Sequence, residues 1–79
     1  MMEIELKFGV PDSIIAELKK KYAGEKENDL IVTRPSPLNP PYYAWGDPRS
    51  KYDLMKWEGK DFWVYKVSKG KAMNWVHDH

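Results

Sequence analysis

The sequence predicts an α+β fold in which one helix packs on a small, mainly antiparallel sheet. Three observations support this: a strictly alternating segment near the start, one amphipathic segment with helical spacing, and two alternating segments around a short glycine-containing loop. A chain of 79 residues is expected to form a single domain, 1–79, with a core that is small for its surface. The predicted order is strand, helix, strand, long loop and hairpin.

The first strand is predicted at residues 3–8. Ile4, Leu6 and Phe8 alternate there with charged residues, so the apolar side chains share one face of a half-buried strand. Gly9 interrupts the alternation. A second, short strand is predicted at residues 30–34, after the helix.

The helix is predicted within residues 10–24. Pro11 suits the first turn, where Asp12 or Ser13 can accept hydrogen bonds from free backbone N–H groups. Gly24 is a typical residue at the end of a helix. The apolar residues form one stripe at helical spacing, which consists of Ile14, Ile15, Leu18 and Tyr22.

The hairpin is predicted from residues 51–57 and 61–67, around a loop centred on Gly59 and Lys60. Its register is predicted from charge.

Placing Asp53 opposite Lys66 pairs opposite charges and brings Trp57 opposite Phe62 and Met55 opposite Val64. A slip that places Asp53 opposite Val64 loses that pairing, so the first register is expected.

The last residues allow two interpretations. After a tight turn at residues 69–70, residues 71–77 are predicted as a third meander strand that pairs Val64 with Trp75. The alternative is a short helix capped by Ser68. The sequence leaves both open.

The two faces of the predicted hairpin differ in chemistry. One is apolar enough to receive the helix stripe: Met55, Trp57, Phe62, Val64, Met73 and Trp75. The other mixes rings with a lysine, and it contains Tyr52, Leu54, Lys56, Trp63, Tyr65, Val67 and Asn74. Rings beside a cation are typical of surfaces that anchor a protein partner or stack nucleic-acid bases. The competing interpretation is that the loop or a second copy of the chain covers these rings.

Residues 34–50 are predicted to form a long loop rich in proline and aromatic residues. Four prolines fall within seven residues, and Tyr42, Tyr43 and Trp45 follow them. Free linkers are poor in aromatic residues. An ordered loop, folded on the sheet or presented to a partner, is therefore favoured over a free polyproline ligand.

The composition narrows the function class. The chain has no cysteine, which excludes disulfides and thiolate metal sites. Its apolar runs, such as residues 62–65, are far too short to cross a membrane. A soluble cytoplasmic protein is expected. Catalytic motifs are missing, and His77 and His79 are two ligands where a structural zinc site needs four. No catalytic residue, metal or cofactor is predicted, and an enzyme is disfavoured.

The spacing Glu3-x-Glu5-x-Lys7, followed by VPDSIIAELKK, resembles the start of the CYTH superfamily of triphosphate tunnel enzymes. The resemblance covers residues 3–22. It implies that Glu3 and Glu5 bind Mg²⁺ and that Lys7 binds phosphate. The rest of the chain departs from the family, whose tunnel is lined by many basic residues, because it has only two arginines, Arg34 and Arg49.

The function expected from the sequence is a small non-enzymatic binding protein that engages a protein partner, similar to the accessory inhibitors that phages encode. The expected contact residues are Tyr42, Tyr43, Trp45, Tyr52, Lys56, Trp63 and Tyr65. One alternative is single-stranded nucleic-acid binding through the same rings and lysine. Another is a shortened CYTH-like protein that binds Mg²⁺ and a triphosphate. A homodimer is compatible with exposed sheet edges.

Overall fold

The computed structural model describes residues 2–7, 9–35 and 51–70 and confirms the α+β prediction. Within these residues, no helix is long and apolar enough to cross a membrane. One helix and four strands follow one another in the order β1 (Ile4–Leu6), α1 (Ile14–Lys21), β2 (Asn28–Thr33), β3 (Lys51–Trp57) and β4 (Lys60–Ser68).

The four strands form one sheet in the order β1-β2-β4-β3. β1 and β2 are parallel, which α1 permits because a parallel pair needs a long crossover connection. β4 pairs antiparallel with β2 on one side and with β3 on the other. Two of the three pairings are thus antiparallel.

β4 occupies an interior position in the sheet. Its residues alternate between the two faces and are buried on both, with Phe62 and Val64 on one face and Tyr65 and Val67 on the other. Val64 lies opposite Val32 in β2 and Asp53 in β3. The predicted pairing of Val64 with Trp75 is therefore wrong, because both edges of β4 are occupied. Residues 71–77 themselves lie outside the described residues.

The predicted register of the hairpin is also wrong, by two residues along β4. Trp57 pairs with Lys60, and Asp53 pairs with Val64. Glu58 and Gly59 form the turn, and both have positive φ angles, of 49° and 75°. Two such residues form the tight turn whose twist matches that of the flanking strands, and this turn determines the register.

Charged side chains of the hairpin, including the pair that suggested the other register, interact in the observed register. Nζ of Lys66 lies 3.7 Å from Oδ2 of Asp53 across a diagonal, and Nζ of Lys56 lies 3.5 Å from Oδ1 of Asp61 directly opposite. Diagonal neighbours on a sheet remain within reach of long side chains. The ion pair between Lys66 and Asp53 therefore forms in the observed register as well, so it does not determine how β3 and β4 are aligned.

The helix is shorter than predicted at both ends. The Ser13 side chain makes no capping hydrogen bond. Instead, the amides of Ile14 and Ile15 bond to the carbonyl oxygens of Pro11 and Asp12. The helix ends at Lys21 rather than near Gly24, because Tyr22 leaves the helical conformation with φ −110° and ψ 30°.

The core lies between α1 and the sheet. Ile14 and Leu18, from the predicted stripe, are fully buried against it. On the sheet side the buried residues of this cluster are Leu30, Val32, Met55, Phe62 and Val64. Ile4 and Leu6 of β1 pack against the same cluster, as the alternation predicted. Each fully buried aliphatic side chain of this size stabilises the fold by about 1.5–3 kcal/mol.

A buried carboxylate links the two ends of the described fold. Asp29 is fully buried in β2. Its Oδ1 accepts a hydrogen bond of 3.0 Å from the amide of Glu3, and its Oδ2 accepts one of 2.7 Å from the amide of Gly70. Gly70 has a φ of 88° in the turn after β4, where the sequence predicted a turn. Asp29 thus holds the start of β1 and the end of β4 against β2.

Candidate partner-binding face

The side of the sheet opposite α1 carries three of the rings that the sequence singled out, Tyr52, Trp63 and Tyr65. We call it the ring face, and its residues on β3 and β4 are Tyr52, Leu54, Lys56, Trp63, Tyr65 and Val67. These residues alternate with those of the core, so the two-residue period of the strands places them together. The predicted assignment of hairpin residues to two faces is confirmed for the described residues. Ile31 of β2 joins the buried part of this face, together with Tyr65 and Val67.

Two rows of side chains cross the ring face. One row runs from Ile31 through Tyr65 to Tyr52, and the next runs from Thr33 through Trp63 to Leu54. The interior strand β4 thus contributes the middle member of each row. The exposed edge strand β3 contributes Tyr52 and Leu54.

Three rings from these rows form a mutual cluster. The ring centroids of Tyr52 and Trp63 are 6.0 Å apart, those of Tyr52 and Tyr65 are 6.1 Å apart, and those of Trp63 and Tyr65 are 6.3 Å apart. The rings are tilted or edge-on to one another, at 39° to 80°, the kind of arrangement that aromatic pairs favour. The cluster holds each ring in place.

The rings of this cluster differ in how far they are exposed to solvent. Tyr65 is 1% exposed, and Trp63 is half-buried. Burial, assisted by the nearby Tyr52, raises the pKa of Tyr65 to about 12. Tyr52 and Leu54 are 37% and 66% exposed. Tyr65, predicted as a contact residue, therefore lies beneath the surface that Tyr52 and Leu54 present.

Leu54 is the exposed residue of this face that the predicted contact set omitted. It is the most exposed large apolar side chain among the described residues. The strand alternation already placed it on the face with the rings. The predicted set consists of rings and one lysine, whereas Leu54 is aliphatic, and its exposure became visible only in the structure.

A groove of about 390 Å³ opens beside Leu54. Its lining consists of Pro35, Leu54, Met55, Lys56, Asp61 and Trp63. The exposed ion pair of Lys56 and Asp61 lies at its rim. The groove thus combines an apolar floor with a charged but locally balanced rim.

Arg34 fastens the end of β2 next to this groove. Its Nη1 donates a hydrogen bond of 2.6 Å to the carbonyl oxygen of Asp61. Its guanidinium carbon lies 5.0 Å from the centroid of the Phe62 ring, within the range of a cation–π contact. These contacts position Pro35, the next residue, at the groove.

A second, polar groove of about 410 Å³ is lined by Glu27, Asn28, Lys51 and Lys66. Lys51 and Lys66 lie directly opposite each other on β3 and β4. Lys66 also pairs with Asp53, and Glu27 supplies a further negative charge. The charges within this groove nearly balance, so it has no marked preference for an anion.

The acidic and basic residues of the CYTH resemblance lie at the other edge strand, β1, with Glu5 within it and Glu3 and Lys7 directly beside it. Glu3 is exposed, whereas Glu5 and Lys7 are half-buried. Glu5 lies opposite Ile31, which places it on the side of the ring face. Across residues 2–7, 9–35 and 51–70, no group of three or more histidine and carboxylate side chains is placed to hold a metal ion. Binding of Mg²⁺ by Glu3 and Glu5 stays a prediction.

The remaining predicted site residues lie outside the described residues: Tyr42, Tyr43, Trp45, His77 and His79. Comparison with known proteins adds no family: no family model, no curated protein and no solved structure matches the chain.

Proposed function

We propose that this chain is a small non-enzymatic binding protein that engages a protein partner through the ring face. The observation that supports this is the exposure of Leu54 and Tyr52, side by side, above a cluster of fixed rings. Leaving a leucine two-thirds exposed next to other apolar groups costs hydration free energy. Patches of this kind mark interaction sites on small soluble proteins.

The anatomy of the ring face matches that of protein interfaces. Interfaces have an apolar centre with aromatic anchors and a polar rim. Here Leu54 and Tyr52 supply the centre, and the pair of Lys56 and Asp61 supplies the rim. Because Tyr52 is held by Trp63 and Tyr65, little side-chain entropy remains to be lost on binding.

The chemistry of the partner follows from the groove and the charge around it. An apolar side chain of the partner fits between Leu54 and Trp63, which line the groove. Residues 51–70 contain five lysines and three acidic residues, a net charge of +2. An acidic surface around the apolar anchor would complement this charge and accelerate association. An accessory inhibitor acts by covering such a surface of its partner.

We also propose a cytoplasmic location, because the chain has no cysteine.

The geometry favours a protein over single-stranded nucleic acid. Base stacking needs open ring faces and free cations. Tyr65 is buried, the rings of Tyr52 and Trp63 are tilted by 55°, and Lys56 is paired with Asp61. The three aromatic rings therefore offer little open flat surface on which a base could stack.

Affinity capture from the native cell tests the proposal. The full chain is compared with Leu54→Ser, Tyr52→Ala and the control Lys20→Ala, whose exposed residue lies on α1. Both ring-face variants should recover at least about tenfold less of the same protein, which corresponds to a loss of about 1.4 kcal/mol of binding free energy. The control should recover as much as the full chain. Equal recovery by all four proteins would contradict the proposal. A salt-dependent affinity for a single-stranded oligonucleotide that Tyr52→Ala abolishes would support the nucleic-acid alternative instead.

A further inference from the structure

The outer edge of β3 is the longest strand edge left open in the described part of the chain. β3 spans seven residues and pairs with β4 on one side. Among the described residues, no strand pairs with its other side. Lys51, Tyr52, Leu54 and Lys56 are exposed along it. A long edge of this kind is a template for another strand.

The tight turn shows which backbone groups point outward. Trp57 and Lys60 flank a two-residue turn, and the residues flanking such a turn exchange both of their backbone hydrogen bonds. Bonding then alternates along an antiparallel strand. The N–H and C=O groups of Asp53, Met55 and Trp57 therefore face β4. Those of Tyr52, Leu54 and Lys56 face outward.

We propose that β3 pairs with β3 of a second copy of this chain, antiparallel and about a two-fold axis at Leu54. Leu54 then lies opposite Leu54, and Tyr52 lies opposite Lys56 on both sides of the axis. Every outward-facing residue meets an outward-facing residue, which gives about six hydrogen bonds between the copies. The whole strand, Lys51–Trp57, is paired.

Side-chain chemistry favours this register. Each lysine of β3 lies opposite a ring, because Lys56 faces Tyr52 and Lys51 faces Trp57. Such pairs allow cation–π contacts. No like charges are directly opposed, and the two Leu54 side chains pack side by side at the two-fold axis, on the side of the ring face. A second copy therefore complements this edge in both charge and apolar surface.

The neighbouring registers are poorer. A shift by two residues in one direction places Asp53 opposite Asp53, which is destabilising. The opposite shift places Met55 opposite Met55 and separates the two Leu54 side chains, each of which then lies opposite a lysine, Lys56. Each shift also leaves one outward-facing residue at the end of β3 without its counterpart and reduces the hydrogen bonds to about four. The register that places Leu54 opposite Leu54 is therefore preferred.

This pairing would join two four-stranded sheets into one continuous sheet, with the two ring faces side by side. It does not depend on the proposed partner protein. The purified chain alone suffices to test it.

Cysteine cross-linking of the full chain tests both the interface and its register, since the natural sequence has no cysteine. Opposed residues in a hydrogen-bonded pair have Cα atoms about 5.5 Å apart, within the range that a disulfide spans. Leu54→Cys should therefore form a covalent dimer under mild oxidation. Lys56→Cys is the control, because two copies of residue 56 would be about 13 Å apart. Equal cross-linking of the two variants would overturn the register.

The mass of the native chain in solution gives the second measurement. Light scattering should show a dimer that dissociates on dilution. Leu54→Pro removes an outward-facing N–H, which edge strands tolerate, and should give a monomer with an unchanged circular dichroism spectrum. A native chain that stays monomeric at about millimolar concentration, where an interface of Kd near 1 mM is detected, would overturn the proposal. So would a Leu54→Pro variant that remains dimeric.

Discussion

The hydroxyl of Tyr22 donates a hydrogen bond of 2.8 Å to Oδ2 of Asp53, so the end of α1 is joined directly to the edge strand β3. Nζ of Lys66 approaches the same oxygen at 3.7 Å. Burial, followed by the hydrogen bond and the negative charge of Asp53, raises the pKa of Tyr22 well above its usual value. One carboxylate oxygen thus ties the residue that follows α1 and a residue of the interior strand β4 to β3.

Replacing Tyr22 with Phe should lower the free energy of unfolding by about 1 kcal/mol, since a hydrogen bond to a charged group is lost at a partly exposed position. Urea denaturation measures the change. The same substitution in an Asp53→Ala background completes a double-mutant cycle. The hydrogen bond would be shown unimportant if Tyr22→Phe had the same cost with and without the Asp53 carboxylate.

The raised pKa of Tyr65, about 12 against 10.0 for an unperturbed tyrosine, predicts lower stability in alkali. Between these values the unfolded chain loses the phenolic proton while the folded chain keeps it. The contribution is complete below pH 10 and is lost as the pH rises towards 12. Tyr22 acts in the same direction.

Urea midpoints measured at increasing pH, alongside the ultraviolet absorbance of tyrosinate, test this dependence. Tyr65→Phe is the matched control, because it removes the hydroxyl and should weaken the fall in stability. An identical fall in the wild type and in Tyr65→Phe would rule Tyr65 out as a source of the alkaline effect.

Replacing Asp29 with Asn should destabilise the fold by about 2–4 kcal/mol. Both carboxylate oxygens of Asp29 accept backbone N–H groups, and an amide would present an N–H donor to one of them. Thermal or urea unfolding measures the loss. Asp12→Asn is the control at an exposed position and should change stability by less than about 0.5 kcal/mol. Comparable effects of the two substitutions would contradict the role assigned to Asp29.

The turn of the hairpin offers a stabilising substitution. Glu58 has a φ of 49°, a left-handed conformation that asparagine adopts more readily than glutamate. Glu58→Asn should therefore raise the free energy of unfolding by about 0.5–1 kcal/mol. Glu58→Ala keeps the conformational cost and should give no gain. A gain of equal size from alanine would mean that the charge of Glu58, rather than its backbone conformation, limits stability.

The faces of the hairpin could be predicted from the sequence although its register could not. Met55 and Phe62 were assigned to the core face and Trp63 and Tyr65 to the opposite face, and the structure agrees. A slip of two residues preserves the face of every side chain, whereas a slip of one would exchange them. The period-two pattern therefore determines which face of the sheet each side chain occupies, while the register depends on the turn.

The pairing of β4 with β2 was not predicted, because strand order depends on contacts between distant parts of the chain. One signal was present: residues 62–65 form an uninterrupted apolar run, which is typical of a strand buried on both faces. The role of Asp29 had no such signal. Nothing in the local pattern distinguishes a buried carboxylate that binds two amides from a solvated one.

The interior position of β4 also has a kinetic consequence. The hairpin of β3 and β4 closes through a two-residue turn, whereas the contact of Asp29 with Gly70 joins residues 41 apart in sequence. Closing the longer loop costs more chain entropy, so we expect the hairpin to form before β2 docks on β4. Glu58→Asn should then mainly accelerate folding, and Asp29→Asn should mainly accelerate unfolding, in stopped-flow measurements. Docking of β2 on β4, which completes the core, would then be the last step of folding.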